Sequence, residues 1–438
     1  MAEIDTGHRT GIDTAAVAAL RTQTIDWRFK GLPASWWGRT AGEVLERGPH
    51  LLGDGAVGPL VTLDAPALED NLQTMAAWCR ERGVDLAPHG KTHMAPQLFA
   101  RQLQAGAWGI TAANISQVRV YRAFGVANVL LANQLVDPAG LAWVGAELDR
   151  DPGFTFSAWV DSVRGVALMD AALSAAGVRR PVDVLLEVGE HGGRTGCRDD
   201  ETVQRVAGAV RESPRLRLCG VAGYEGALAH DTSSEGLSRV DAYLRRMRAC
   251  TIRLAEDGAF ETDDVVVTAG GSAFFDQVTD VLTQPWPREL PARVVLRSGA
   301  YLTHDDGFYQ GISPLTRDGT PGLRSALRLW AQVTSRPEPG LALLTAGKRD
   351  ASFDEGLPVP QLVWEGRDAA RPLTSSSVTA MNDQHTFVAL GPDEADLCDV
   401  GSWMQLGLSH PCTVFDKWQL VPVVDGDGAV VDLVRTFF

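Results

Sequence analysis

The rhythm of apolar and polar positions changes twice along the chain. Residues 1–54 are mixed, with SWWGR (Ser35 to Arg39) in a stretch punctuated by Pro and Gly. From Leu60 onward, short apolar runs alternate with longer amphipathic ones. LVTLD precedes a helix-like run over 66–82, and DLAPHGK precedes another over 95–105. GITAAN, NVLLAN, TFSAWV, VDVLLEVG, LRLCGVAGY and VVVTAGG follow, most of them separated by helix-length segments, and VVLRSGAY ends the series near Tyr301. This alternation predicts parallel strands joined by crossover helices. Nine strand candidates can be counted, whereas a (β/α)8 barrel needs eight. The first or the last therefore belongs to a neighbouring domain. A doubly wound open sheet is the second reading, weakened by the lack of a GxGxxG after the first strand.

Beyond Tyr301 the alternation stops. RLWAQVTSRPEPG, LALLTAG, PQLVWEG, HTFVAL, QLVPVVDG and AVVDLVRTFF are short runs bounded by Gly, Pro and Asp, which is an all-β pattern. The expected fold is α/β: a (β/α)8 TIM-type barrel with a second, C-terminal, mostly-β domain. The expected boundaries are an N-terminal extension over 1–54 packing on the β-domain, a barrel over 55–310, and a β-domain over 311–438.

Composition narrows the function. The formal net charge of −15 argues against a nucleic-acid groove, because phosphate backbones are met by clustered Lys and Arg. No apolar run reaches the roughly 20 residues of a membrane span, and MAEIDTGHRT is not a secretory leader. A cytoplasmic location is expected. The six cysteines form no CxxC pair, so no disulfide framework is predicted.

The chain has only four lysines: Lys30, Lys91, Lys348 and Lys417. One of them, Lys91, stands between two histidines in APHGKTHMAP, at the end of the second run. In a barrel, chemistry gathers at the C-terminal ends of strands. The polar residues there are Lys91; Arg194 in GEHGGRTG; Tyr224; the turn Gly270, Gly271, Ser272; and Arg297 and Tyr301 in VVLRSGAY. Singly each is ordinary: a solvated lysine, a turn that uses glycine for positive φ, surface arginines. Together they are what a barrel needs to hold pyridoxal 5'-phosphate. The lysine forms the Schiff base, the turn holds the phosphate, and the other groups tune the ring.

These stretches resemble the D-serine dehydratase and D-threonine aldolase group of the alanine racemase-like, fold-type III pyridoxal-phosphate enzymes. The resemblance is carried in order by VTLDAPALEDNL, APHGKTH, LLEVGEHGGRTGC, AGYEGALAH, VTAGGSAFFD, RSGAYLTHD, VTSRPEPG, NDQHTFV and SHPCTVFD. It spans residues 60–425 and leaves 1–54 outside. It implies that Lys91 carries the cofactor. It places Arg194 near the phenolic oxygen, and Tyr224 with Gly270, Gly271 and Ser272 by the phosphate. Arg297 aligns with a position that faces the pyridine nitrogen in alanine racemases, where the dehydratase group carries an uncharged residue. Tyr301 joins the cofactor-binding set. His89 and His93 are each either a supporting partner of the site or a structural histidine.

In LSHPCTVFD, His410 and Cys412 stand two apart, so a strand there would put both side chains on one face. Imidazole plus thiolate suits zinc. The resemblance implies a Zn2+ site here: the dehydratases carry His-x-Cys and the aldolases His-x-Asp. His385, in NDQHTFV, stands where the family has an acid-acid-His stretch, and is a candidate acid/base. All five tyrosines precede residue 310, so the β-domain lacks the second base of an alanine racemase. The expected activity is zinc-assisted dehydration of D-serine or a related D-3-hydroxy amino acid to a 2-keto acid and ammonia, by a homodimer whose site is completed across subunits. Rival readings are a D-threonine aldolase, a D-threo-3-hydroxyaspartate dehydratase and, in another class, a non-catalytic pyridoxal-phosphate carrier.

Overall fold

The computed structural model describes residues 11–288, 290–317, 322–364 and 370–438. The chain divides into two compact units. One takes residues 11–13, 75–91 and 99–299; the other takes 14–74, 92–98 and 300–438.

The first of the nine strand candidates, β1 (Leu60–Asp64), lies in the second unit. The remaining eight make the barrel: β2 (Asp85–Leu86), β3 (Ile110–Ala112), β4 (Asn128–Gln134), β5 (Thr155–Val160), β6 (Val182–Val188), β7 (Leu216–Gly223), β8 (Val265–Ala269) and β9 (Ala292–Leu296). They pair in the order β2-β9-β8-β7-β6-β5-β4-β3, and every pairing is parallel. The sheet does not stay open. The Trp108 N–H donates to Leu86 O at 2.7 Å and the Thr111 N–H to Pro88 O at 2.9 Å, and His89 bridges Thr111. These bonds join the two ends of the order into a ring.

Side chains fill the ring. Trp108, Leu130, Trp159, Leu185, Val266 and Val295 form one buried cluster, as expected for a packed barrel core. Four of the helices that follow the strands start on side-chain caps. Asp137, Ser162, Asp199 and Ser233 accept the N–H groups of Ala139, Gly165, Thr202 and Gly236, which satisfies donors that a helix start leaves open.

The second unit is antiparallel apart from one pairing. Its strands after β1 are β10 (Leu327–Glu338), β11 (Leu341–Leu344), β12 (Val359–Trp364), β13 (Arg371–Pro372), β14 (Ser377–Met381), β15 (Thr386–Ala389), β16 (Trp403–Gly407), β17 (Leu420–Val424) and β18 (Val430–Arg435). β1 pairs antiparallel with β10 and parallel with β17. The six C-terminal runs read from the sequence appear as β10, β11, β12, β15, β17 and β18. β13, β14 and β16 were not among those runs, although β16 carries Trp403, Met404 and Leu406.

The units therefore do not part at 54/55 and 310/311. β1 and residues 300–310 are in the second unit, because β1 takes its hydrogen bonds from β10 and β17. Residues 14–54 also belong to that unit. Lys30 pairs with Asp350 at 2.9 Å and lies 3.9 Å from the centre of the Trp418 ring. The Val430 N–H donates to Pro49 O. Among the described residues no helix is long and apolar enough to cross a membrane.

Gly220 tests the barrel ladder. A Cβ there would lie 1.9 Å from the Val266 carbonyl oxygen across β7 and β8. Gly220→Ala should cost at least about 1–3 kcal/mol, as overpacking does, and lower the melting temperature. Gly208, in the helix Asp200–Glu212, has open space around its Cβ position. Gly208→Ala should be neutral or raise the melting temperature, and thermal denaturation of the two variants separates these outcomes.

Candidate active site

β2 ends in a single 3-10 turn, Gly90–Thr92, which carries Lys91. A Cβ at Gly90 would lie 2.6 Å from the Tyr121 hydroxyl and 2.8 Å from Ile110 and Phe99. Only glycine lets the chain pass this close to that wall. His89, just before it, keeps some surface open, but its Nδ1 is buried with no hydrogen-bond partner. Desolvation first, then the charges of Lys91, Arg297 and Arg194, hold its pKa well below the ordinary histidine value. Burial and these three cations therefore favour its neutral form.

Arg297 is buried. Its Nη1 donates to Thr268 Oγ1 at 2.7 Å, its Nη2 to Gly223 O at 2.5 Å, and its guanidinium lies 5.0 Å from the centre of the Trp159 ring. Burial pushes its pKa down. Glu225, Tyr243, Glu187 and Tyr224 act the other way, Glu225 most strongly. Arg194 is exposed and lies over the Tyr224 ring, 4.5 Å from its centre. Tyr224 itself is fixed through its backbone. Its N–H donates to the Tyr243 hydroxyl at 3.0 Å, and that hydroxyl donates to Val188 O at 2.7 Å.

The turn after β8 departs from expectation. Gly270 and Gly271 do converge their N–H groups, but on a protein carboxylate. Glu225 Oε2 accepts from Gly270 at 3.0 Å and Oε1 from Gly271 at 2.6 Å. Those amides are filled, which leaves Ser272 as the expected phosphate contact on this turn. Gly270 has φ +96 and Gly271 packs against Tyr224, whose Cε2 would lie 3.2 Å from an added Cβ. Sequence reading missed Glu225, although it directly follows Tyr224. No local pattern marks a glutamate that turns inward. Glu187, at the end of β6, was missed for the same reason. It is 2 % exposed and accepts from Gln134 and Thr195 at 2.6 and 2.8 Å. Burial pushes its pKa up.

In the second unit, His410 and Cys412 are not on a strand. His410 has φ +53, and Cys412 opens the short helix Cys412–Phe415. Pro411 starts that turn with φ −58, as proline's fixed φ allows. A left-handed residue and a helical turn bring the two side chains together in place of strand alternation. His410 Nδ1 meets Asp354 Oδ2 at 2.6 Å. Its hydrogen bond to Cys412, together with the Cys412 and Asp354 charges, outweighs desolvation and holds its pKa up at about 9. Its backbone N–H donates to the buried Asp305. The Cys412 thiol lies 3.4 Å from Thr92 Oγ1. Asp354 and Asp305 were also missed by sequence reading.

Other expected residues are placed differently. His385 is exposed on the turn between β14 and β15, where its backbone carbonyl accepts the Asn382 N–H. It is not gathered beside His410 and Cys412 by any described hydrogen bond or ion pair. Tyr301 is buried and falls in the second unit. His93 is buried, accepts the Ala95 N–H at 3.2 Å and packs edge-on against Phe415, so it supports the local turn.

In the barrel, Lys91, Arg194 and Arg297 all act on a buried, unpartnered imidazole nitrogen, and this positive set suits an anionic cofactor bonded through Lys91. His410 and Cys412 supply the nitrogen and sulfur donors that suit zinc, and Asp354 orients the imidazole in the manner of a carboxylate–histidine–metal triad. Among the described residues no third His, Cys, Asp or Glu completes a metal group. A metal held by this pair would keep positions for water and substrate.

The serine dehydratase domain family matches residues 326–424, and the alanine racemase N-terminal domain family matches residues 63–282. A D-threonine aldolase of Arthrobacter sp. is 30% identical over 379 residues, covering 86% of this chain and 90% of that protein. A 3-hydroxy-D-aspartate aldolase of Paracoccus denitrificans is 26% identical over 360 residues, covering 79% and 87%. Among solved structures, the D-threonine aldolase from Filomicrobium marinum superposes with a TM-score of 0.73 at 29% identity, covering 88% and 96% of the two chains. The D-threo-3-hydroxyaspartate dehydratase from Delftia sp. HT23 has a TM-score of 0.68 at 21% identity, covering 87% and 98%, and shares the fold. With the alanine racemase match covering half of the chain and an aldolase relative aligned along most of its length, the chain belongs to the D-serine dehydratase and D-threonine aldolase group of the alanine racemase-like, fold-type III pyridoxal-phosphate enzymes.

Proposed function

We propose that this protein is a lyase that dehydrates a small D-3-hydroxy amino acid, D-serine or a close relative, to a 2-keto acid and ammonia, with pyridoxal phosphate on Lys91 and zinc on His410 and Cys412. The observation that carries the choice of dehydration is the sulfur donor: Cys412 beside His410. One similar structure is a cysteine-to-alanine variant of a D-threo-3-hydroxyaspartate dehydratase in a metal-free form, which supports a metal role for a cysteine in this group.

When bound, pyridoxal phosphate supplies an electron sink for the pair left at Cα, and zinc supplies Lewis acidity for the β-hydroxyl. The protein's own part is positional and protonic. Lys91 Nζ takes the proton from Cα on one face, which sets the D preference. Arg194 and Arg297 add positive charge about the cofactor's ring. His89, held neutral by burial and its cationic neighbours, adds no further charge. Asp354 keeps one nitrogen of His410 occupied and the other available. The reading gives the exposed His385 no role. We propose further that the protein works as a homodimer.

Aldol cleavage is the second reading, favoured by the 30% identity to a D-threonine aldolase. The two reactions differ in the bond that breaks first. Cleavage between Cα and Cβ needs the hydroxyl proton removed; elimination needs the Cα proton removed and the hydroxyl made a better leaving group.

Lys91→Ala should lose roughly 10²–10⁴-fold in kcat, and borohydride treatment of the wild-type protein should leave the pyridoxyl group on the 87–96 peptide. Recovery of the label on Lys348 would refute the assignment. D-Threonine separates the two reactions. The wild-type protein should yield 2-oxobutyrate and ammonia, whereas glycine and acetaldehyde as main products would make it an aldolase. Cys412→Ala should lower zinc content and turnover together while the cofactor's visible absorbance persists, as read by metal analysis and spectrophotometry.

A further inference from the structure

The Gly270–Gly271 turn already holds an anion, and that anion is part of the protein. Glu225 is fully buried, and each of its carboxylate oxygens takes one amide of the turn. The turn is also fixed from its other side. Ser298 Oγ donates to the carbonyls of Gly270 and Gly271, and the Arg297 N–H donates to Gly270 O. Tyr224, adjacent in sequence, packs its ring on Gly271 and under Arg194. One residue thus links the loop after β7 to the turn after β8.

We propose that Glu225 is the positioning residue of the cofactor's phosphate seat: its carboxylate permanently occupies the Gly270 and Gly271 amides, so that the phosphate is met by Tyr224 and by the turn from Ser272 onward. The inference rests on the reading that this barrel holds pyridoxal phosphate. Two physical points support it. A carboxylate with both oxygens bonded to backbone N–H groups forms charge-assisted bonds, which are the strong kind. A phosphate arriving later has to displace both at once to use those amides. The second point is charge. A buried carboxylate beside a phosphate is unfavourable unless it is compensated. Glu225 is compensated by the two amides that donate to it at 3.0 and 2.6 Å, and its charge also acts on the buried Arg297. It therefore serves as a template for the seat and does not compete with the phosphate.

Amide hydrogen exchange of the 270–272 segment tests this in the wild-type protein. The Gly270 and Gly271 amides should be equally protected in the apoprotein and after loading with pyridoxal phosphate. Slow exchange that appears only on loading would overturn the proposal, since the phosphate would then be taking those amides from Glu225. In Glu225→Ala the same amides should exchange freely in the apoprotein and gain protection on loading. Glu225→Gln keeps the shape but turns an NH2 group toward one amide. Its Kd for pyridoxal phosphate should rise roughly tenfold, the scale of one charge-assisted hydrogen bond. Its Kd for pyridoxal, which has no phosphate, should change far less. An equal change for both ligands would reduce Glu225 to a structural residue and overturn the proposal. If the wild-type protein takes up no pyridoxal phosphate while its Gly270 and Gly271 amides are protected, the cofactor reading fails and the carboxylate clamp stands.

Discussion

Closing a parallel sheet requires its first and last strands to share hydrogen bonds, and here that requirement fixes the reactive lysine. Leu86 and Pro88 accept from Trp108 and Thr111, so the backbone up to His89 is held by the ring. Gly90 then passes against Tyr121, Ile110 and Phe99, at distances that exclude any side chain. Lys91 follows immediately. Its backbone is anchored by barrel closure and wall packing, which suits a residue that must present an amine at a constant position.

Around that point the barrel has to manage charge away from water. Lys91, Arg194 and Arg297 all act on His89, and Glu225 and Glu187 act on Arg297. Each buried group answers its desolvation with specific partners. Arg297 has Thr268 and a backbone carbonyl, Glu225 has two amides, and Glu187 has Gln134 and Thr195. A buried polar network of this kind is costly when partly satisfied and rigid when complete. The unpartnered atom in this set is His89 Nδ1.

The second unit spends backbone strain in a similar way. Its non-glycine residues at positive φ are Met94, His304 and His410. His410 is a candidate metal ligand; the others lie close in sequence to Thr92 and Asp305. Asp305 accepts the N–H groups of Gly307, Tyr309, Gln310 and His410. One buried carboxylate thereby stabilises the loop that holds His410 in a conformation costing about 1–3 kcal/mol.

The order of apolar runs was enough to determine nine strand candidates, one more than a barrel takes, and the change to β structure after Tyr301, because burial imposes its period locally; which end strand was surplus it left open. Lys91, Arg194, Tyr224 and Arg297 were selected as candidates for a related reason: a strand's C-terminal end is a position along the chain, and a barrel turns it into a position in space. The tertiary structure alone decided which carboxylates turn inward. Glu225 and an exposed glutamate look alike in a sequence; what separates them is whether two amides some 45 residues away arrive to meet the carboxylate. It also decided how His410 and Cys412 meet. Two residues apart, they read as neighbours on a strand face, but the left-handed backbone at His410 and the helical turn after Pro411 bring them together instead. That conformation depends on Asp305, 105 residues away. Local periodicity carries no record of such long-range hydrogen bonds, since their energy is gained only when distant segments meet.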